Sequence, residues 1–155
     1  MNKDLDKTID ISNVIEVLNI LYVSVFLVDM DTNKYFNYRL NSVLKDRYDD
    51  KFDTGNYEEI CEFYTKNEVY DEDKYLFNRI NKISKIKTLL SDKNNYSFKY
   101  RVLRNDEIHF FECLLVKPNS KDNQFLLAIK DIDEEKNKSF SNKKRLKKPL
   151  LPLIS

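Results

Sequence analysis

Apolar residues recur along the chain with two different periods, and each change of period marks a predicted element. The first stretch has helical spacing, with apolar positions at Ile11, Val14, Ile15, Leu18 and Leu21. A single apolar face of this kind predicts an amphipathic helix. Residues 22–29 and 35–40 alternate in the manner of strands, and the polar turn at residues 29–33 joins them into a hairpin.

The middle of the chain is more polar and predicts helices. Residues 46–55 are mostly charged and predict a loop. Asn56 is a suitable N-cap for a short helix over residues 57–64. Asp71 is a suitable N-cap for a further helix, whose apolar spacing continues to Leu90.

The last part of the domain carries three runs of strand type. Residues 96–102 alternate, which predicts a strand with one buried face. Residues 108–116 are nearly all apolar, which predicts a central strand covered on both faces. Residues 125–132 form a third run of the same kind. The order of helix, two strands, helices and three strands predicts an α+β domain.

The connections between these three strands differ in length. Arg104 to Glu107 is short and polar, which predicts a tight hairpin, and residues 117–123 predict a longer loop. Side chains expected in the core are those on apolar strand faces, namely Phe26, Tyr100, Phe110, Leu114 and Leu127. Truncation of Phe110 to Ala is accordingly expected to cost about 3–5 kcal/mol.

The composition fits one folded domain and argues against several kinds of site. A chain of 155 residues with 41% apolar residues is long enough to bury a core. It has one glycine, Gly55, whereas phosphate loops, dinucleotide-binding turns and nucleophile elbows each need several. The predicted organisation is a flexible N-terminus at residues 1–8, a domain at residues 9–135 and a tail at residues 136–155.

Charge is distributed unevenly between the domain and the tail. Residues 136–155 hold seven basic residues and no acidic ones, which leaves 20 basic and 26 acidic residues, a net charge of −6, in residues 1–135. A basic tail suits either binding to nucleic acid or anionic lipid, or a solvated chain end. The second interpretation is adopted, so the tail is predicted to be disordered.

Residues able to bind a metal or carry out catalysis are sparse. Cys61 and Cys113 lie in apolar sequence without a C-x-x-C spacing, which predicts reduced core thiols of a cytosolic protein. The one histidine, His109, lies on a predicted strand beside aromatic residues. Asp29 and Asp31 alone are too few carboxylates for a metal site. No metal site and no catalytic residue is predicted.

Targeting signals are also missing from the pattern. The first twelve residues lack the apolar core of a signal peptide, and the longest apolar run near the front, at residues 21–28, is too short to span a bilayer. A cytoplasmic location and no membrane span are predicted.

Three segments carry a family resemblance when taken in order. VYDEDKYLF at residues 69–77 matches the type V-H-P-E-D-R-x-x-F, with Tyr70 in place of His and Asp71 in place of Pro. Residues 96–116 match a strand pair joined by a polar turn, and KDIDEE at residues 130–135 matches a closing D-I-T-E motif. Together they resemble PAS sensor domains, and the opening NVIEVLNILYVSVFLVDMDTNKYFNYR is similar to PAS-like domains found in front of diguanylate cyclase (GGDEF) domains.

The resemblance implies a particular fold and a route for signals. It implies a five-stranded antiparallel sheet with helices on one face, and a first helix that packs on the outer face and mediates homodimers. The predicted dimer residues are Val14, Ile15, Leu18 and Leu21. Asp131 and Asp133 match the closing motif that couples the last strand to an output domain, with Asp133 in place of Thr. No GGDEF-type signature follows, so the output domain is expected to be absent from this chain.

The resemblance also implies a small cavity between the sheet and the helices. The candidate lining residues are Phe26, Val28, Tyr64, Leu76, Ile80, Tyr100, Phe111 and Cys113. They would suit a small, mostly apolar ligand, although the same side chains could simply fill a core. Neither cysteine lies in a flavin motif of the N-C-R-F-L-Q type, and haem-binding members need a ligand on a helix, so no cofactor is predicted.

The predicted function is a non-catalytic sensory or regulatory module of bacterial signal transduction. It would bind a small ligand, or mediate dimerisation and coupling to an output domain. A small nucleic-acid-binding protein using the basic tail is the main alternative, and a small-molecule enzyme on a PAS-like sheet is a third. Few cations occur on the strands beyond Lys99, Arg101 and Arg104, so nucleic acid is the weaker hypothesis.

Overall fold

The computed structural model of the chain describes residues 11–117 and 123–133. Its helices are α1 (Ile11–Leu21), α2 (Ser42–Tyr48), α3 (Tyr57–Asn67), α4 (Asp71–Ile80) and α5 (Ile83–Leu89). Its strands are β1 (Ser24–Asp29), β2 (Lys34–Arg39), β3 (Thr54–Asn56), β4 (Asn95–Arg104), β5 (Glu107–Val116) and β6 (Gln124–Asp131). The predictions for residues 1–8 and for the tail lie outside these residues.

All six strands form one antiparallel sheet, in the order β3-β2-β1-β6-β5-β4. The α+β prediction is confirmed, but the number of five strands is wrong because β3 adds a sixth. β3 pairs with β2 through Tyr35 opposite Gly55, at the edge of the sheet. Thr54 and Gly55 are exposed, so this strand lacks an apolar face. Backbone pairing forms it, and no side-chain period marks it in the sequence.

The hairpin between β4 and β5 forms where the sequence predicts it. The two strands pair over their full length, from Asn95 opposite Val116 to Arg104 opposite Glu107. The central turn residues, Asn105 and Asp106, have φ values of 51° and 65°. Positive φ at both positions is the geometry that matches the twist of paired strands, and Asn and Asp tolerate it better than most non-glycine residues.

One face of the sheet is covered by the four helices α2 to α5. Large side chains from both layers meet there, including Tyr57 and Ile86 from the helices and Leu115 and Phe125 from the sheet. Tyr57 packs edge-on against Phe125, with ring centroids 5.4 Å apart. This layer contains most of the core, so the α3 to α5 segment is fixed by burial of its apolar faces.

The opposite face is covered by α1, as the resemblance implied. Ile15 packs against Val25, Leu126 and Ala128 of the two central strands. Val14 and Leu18 are half-buried against the same cluster. α1 covers the centre of this face only, because a helix of 11 residues spans about 17 Å of a sheet that is six strands wide.

Two helix boundaries depart from the predictions. Residues 46–55 were expected to be a loop, but α2 ends inside that range and β3 begins within it. The side chain of Asn41 caps α2 by accepting a hydrogen bond from the N–H of Val43 at 3.0 Å. The helix predicted from Asp71 to Leu90 is instead broken into α4 and α5.

The break between α4 and α5 lies at Asn81, which is buried. Its Nδ2 donates to the carbonyl of Phe77 at 3.0 Å, and its Oδ1 accepts from the Tyr57 hydroxyl at 2.6 Å. A buried Asn side chain that bonds the preceding turn competes with helix continuation, which explains why the apolar period runs through a place where the helix stops.

The expected core residues are confirmed in part. Phe26, Tyr100 and Leu127 are buried, whereas Phe110 and Leu114 are only half-buried. In β5 the residues that face the helices are Phe111, Cys113 and Leu115. Phe110 and Leu114 alternate with these residues along β5, so they point to the opposite face, which α1 covers only in part. The prediction that Phe110 is a core side chain is wrong.

Candidate functional site

A small cavity lies between the sheet and the helices, at the place that the resemblance implied. Its volume is about 30 Å³, and its lining is almost entirely apolar. The walls are built by Ser24, Phe26, Leu44, Phe52, Tyr57, Ile60, Cys61, Tyr64, Phe77, Leu127 and Ile129. A space of this size holds about two waters, because one water needs roughly 10–15 Å³. Binding sites for small molecules are about ten times larger.

The predicted lining residues are brought together only in part. Phe26 and Tyr64 border the cavity. The residues Val28, Ile80, Tyr100, Phe111 and Cys113 are buried in the surrounding core. Leu76 is 51% exposed, so its assignment to the pocket is wrong. The next residue, Phe77, borders the cavity instead, because Phe77 and Ile80 lie on the face of α4 that is buried.

Two tyrosine hydroxyls meet beside the cavity. The Tyr64 and Tyr100 oxygens are 2.8 Å apart and buried, and each ring also contacts Phe77. Burial raises the pKa of both hydroxyls. Burial likewise raises the pKa of the Cys61 thiol to about 12. These groups are neutral at physiological pH, so the core offers weak hydrogen-bonding groups and no activated nucleophile.

A buried carboxylate, Glu68, forms a polar cluster that the sequence did not reveal. Its Oε2 accepts from Arg47 Nη1 at 2.8 Å and from the Tyr48 hydroxyl, and its Oε1 accepts from Arg104 Nε at 3.2 Å. The Glu68 side chain has no exposed surface, and that of Arg104 is 9% exposed. The Arg104 guanidinium also lies 5.3 Å from the ring centroid of Phe111.

The Glu68 cluster ties three parts of the fold together. Its members come from α2, from the segment after α3 and from the end of β4. Glu68 stands in the polar sequence KNEVYDED, where nothing in its spacing separates it from the acidic residues that follow. Ion pairing of a fully buried carboxylate with two arginines is a tertiary feature, since it depends on where β4 and α2 are placed.

The segment that resembles V-H-P-E-D-R-x-x-F fixes the free edge of β4. Val69 forms a bridge with Val102, and the N–H of Tyr70 donates to the carbonyl of Arg101 at 2.8 Å. Asp73 accepts three hydrogen bonds from Arg101, one from its backbone N–H and two from its guanidinium, at 2.8–2.9 Å. These contacts cover a sheet edge that would otherwise expose its backbone groups.

Stability is expected to depend on pH through Asp73. The hydrogen bonds from Arg101 lower the pKa of the Asp73 carboxyl below its ordinary value of 3.8. A lowered folded-state pKa stabilises the fold above the ordinary value, and this contribution is lost as pH falls through the folded-state pKa. Asp73→Asn should therefore cost about 1–2 kcal/mol near pH 7, and the difference from wild type should shrink below about pH 4.

Urea denaturation at a series of pH values measures this effect. Asp71→Asn is the matched control, because Asp71 lies in the same helical turn and its side chain is 91% exposed. A cost for Asp73→Asn that stays constant down to pH 3 would show that the ion pair does not stabilise the fold.

The closing segment is hydrogen-bonded to β5, which lies between β6 and β4 in the sheet. Asp133 accepts from the backbone N–H of Phe110, and its Oδ2 lies 2.7 Å from His109 Nδ1. The Asp131 carboxylate in turn accepts from the N–H of Asp133 at 2.9 Å. Both residues predicted to couple the last strand to an output domain thus lie in one hydrogen-bonded group.

The first helix has a second apolar stripe that the sequence analysis missed. Val17, Ile20 and Leu21 are exposed, with Ile20 at 80%. Of the predicted dimer residues, Ile15 is buried against the sheet, Val14 and Leu18 are half-buried, and only Leu21 belongs to the exposed stripe. Val17 and Ile20 were missed, yet with Leu21 they have i, i+3, i+4 spacing of their own, so a test for two apolar faces in the helix would have found them.

Candidate metal ligands do not assemble in the part of the chain that the structure describes. No group of three or more His, Cys, Asp or Glu residues there could hold a metal ion. Asp29 instead accepts from the N–H groups of Asp31 and Thr32, which stabilises the turn between β1 and β2. Over the same residues, no helix has the length and apolar character needed to cross a membrane.

Comparison with known proteins gives no family assignment. No protein-family model matches the chain, and no curated protein matches it in sequence.

Proposed function

We propose that this chain is a non-catalytic regulatory module of the PAS type, which acts by self-association and by coupling to an output domain. An antiparallel sheet with α2–α5 on one face and α1 on the other is compatible with that fold, and β3 is then an addition at one edge. The observation that carries the proposal is the double-sided helix α1. It packs on the sheet through Ile15 and leaves Val17, Ile20 and Leu21 open to a second copy.

The closing segment supports the coupling part of the proposal. The Asp133 carboxylate is hydrogen-bonded to His109 and to the backbone N–H of Phe110, both in β5. A rotation or pull at that point would act on β5, an interior strand of the sheet. β5 also carries Leu114 and Val116, which contact the cluster under α1. A change at α1 could thus be transmitted through β5 to the closing segment at Asp133, and the reverse.

The size of the core cavity favours coupling over metabolite sensing. At about 30 Å³ it has no room for a metabolite, and the aromatic side chains around it are packed against one another. Opening it to the volume of a ligand site would require Phe52, Tyr64 and Phe77 to separate. A role in association needs no such rearrangement.

Self-association through α1 is tested by Ile20→Glu. We expect wild type to be a dimer by light scattering coupled to size-exclusion chromatography. Ile20→Glu should raise the dissociation constant of the dimer about tenfold or more, because a charge would be buried in an apolar interface. Leu76→Glu is the matched control, since Leu76 is also exposed but lies on α4. The proposal would be contradicted by a monomeric wild type, or by Ile20→Glu and Leu76→Glu weakening the dimer equally.

A further inference from the structure

A surface cleft between α3 and α4 has a chemistry that the proposed function does not use. It measures about 450 Å³, which lies within the range of small-molecule sites. Thr65 contributes from α3, Lys74, Tyr75, Asn78 and Arg79 contribute from α4, and Lys82 follows α4. Thr65 is buried, whereas Tyr75 and Arg79 are exposed, so the cleft has a closed base and an open rim.

Cations dominate this cleft although the domain as a whole is acidic. Lys74, Arg79 and Lys82 line it, and no acidic residue does. The sequence from Lys74 to Ser91 holds five cations and no acid, in a domain whose residues 1–135 carry a net charge of −6. Lys74 and Arg79 lie on α4 and Lys82 follows it, so three cations of an acidic domain are concentrated at this one cleft.

The three cations differ in how they are held. Lys74 is anchored by Asp71 at 3.0 Å and by the carbonyl of Lys66 at 3.1 Å. Arg79 and Lys82 have no salt bridge with any described residue. Both groups can bind phosphate oxygens. The guanidinium of Arg79 can donate two hydrogen bonds in a bidentate pair, and the ammonium of Lys82 can act as a point charge.

An aromatic ring stands beside these charges. Tyr75 is 76% exposed, and its ring contacts no other aromatic ring among the described residues. Its face is therefore available for stacking on a planar group. Asn78 adds an amide that can both donate and accept, whereas the Thr65 hydroxyl already donates to the carbonyl of Cys61 at 2.6 Å.

We propose that the α3–α4 cleft binds a small phosphorylated molecule that carries a planar ring, with nucleoside phosphates as the simplest members of the class. Arg79 and Lys82 bind the phosphates, and Tyr75 stacks on the ring. Binding at this cleft involves neither the core cavity nor α1. The result of the binding experiment is therefore independent of whether the chain self-associates through α1.

The full chain is tested by titration with ATP, adenosine and pyrophosphate, using calorimetry and amide chemical shifts. We expect ATP to bind with shifts confined to α3, α4 and the start of α5. Adenosine and pyrophosphate should each bind at least about tenfold more weakly, because each offers only half of the recognised chemistry.

Matched variants assign the binding to the cleft. Arg79→Gln should weaken ATP binding about tenfold, while Lys87→Gln, the same loss of charge at an exposed position of α5, should leave it nearly unchanged. Tyr75→Ala should weaken it, and Leu76→Ala, at an exposed neighbour outside the cleft, should not. All four positions are exposed, so the fold should survive each change.

Three results would overturn the proposal. The first is absence of ATP binding at millimolar concentration. The second is equal weakening of ATP binding by Arg79→Gln and Lys87→Gln, which would indicate nonspecific attraction of ATP to positive charge. The role of Arg79 would then be limited to its favourable interaction with the helix dipole at the C-terminus of α4. The third is pyrophosphate binding as tight as that of ATP together with no effect of Tyr75→Ala, which would exclude recognition of the ring.

Discussion

Glu68→Gln is expected to lower the free energy of unfolding by about 3–5 kcal/mol, because it removes the charge that compensates a buried arginine. Arg104 is 9% exposed, and its Nη2 has no hydrogen-bond partner among the described residues. Gln has nearly the shape of Glu, so the loss reports on charge and hydrogen bonding and not on a cavity. Urea denaturation measures the loss as a shift of the midpoint at unchanged slope.

Two further variants test this interpretation of the Glu68 cluster. Arg47→Gln should cost less, since the Arg47 side chain is 39% exposed and water replaces part of its contact. Glu62→Gln, at an exposed position of α3, should change stability by less than about 0.5 kcal/mol. If Glu68→Gln were as mild as Glu62→Gln, the cluster would not be needed to hold α2 and β4 together.

Phe111→Ala is expected to be the most destabilising truncation in β5, at about 3–5 kcal/mol. Phe111 is 2% exposed, stacks on Tyr100 with ring centroids 6.0 Å apart and lies under the Arg104 guanidinium. Its removal leaves a space that the surrounding sheet and helices cannot close. The aromatic contacts are lost in addition to the buried area.

Phe110→Ala is the control for Phe111→Ala within the same strand. The two side chains are identical and adjacent, but Phe110 is half-buried on the face that α1 covers incompletely. We expect a cost of less than half that of Phe111→Ala, in thermal or urea denaturation. Equal costs for the two variants would mean that the face assigned to the helices is incorrect.

The pair of phenylalanines shows where the sequence stops being informative. Residues 108–116 are nearly all apolar, so the sequence predicts a central strand, and β5 lies between β4 and β6. A strand without alternation has no marked face, however. Which of Phe110 and Phe111 is buried depends on the register with β4 and β6 and on the layer that each face meets.

The candidate site divides in the same way. The candidate residues near the core cavity were predicted from the cavity that the PAS resemblance implies, as side chains on the inward faces of its strands and helices. The prediction failed at Leu76, because Leu76 and Phe77 are adjacent on a helix and only packing selects the one that faces the sheet. Glu68 could not be found at all, since its partners Arg47 and Arg104 are 21 and 36 residues away in the sequence.

The sequence by itself determined the elements whose signals are local. The period of α1, the Asn56 cap of α3, the Asn105-Asp106 turn and the apolar runs of β1, β5 and β6 each depend on neighbours within a few residues. Tertiary structure decided the features that need distant partners: the pairing of β3 with β2, the break at Asn81, the burial of Glu68 and the volume left between sheet and helices. Their stabilisation comes from contacts that exist only once the layers have packed, so no local pattern records them.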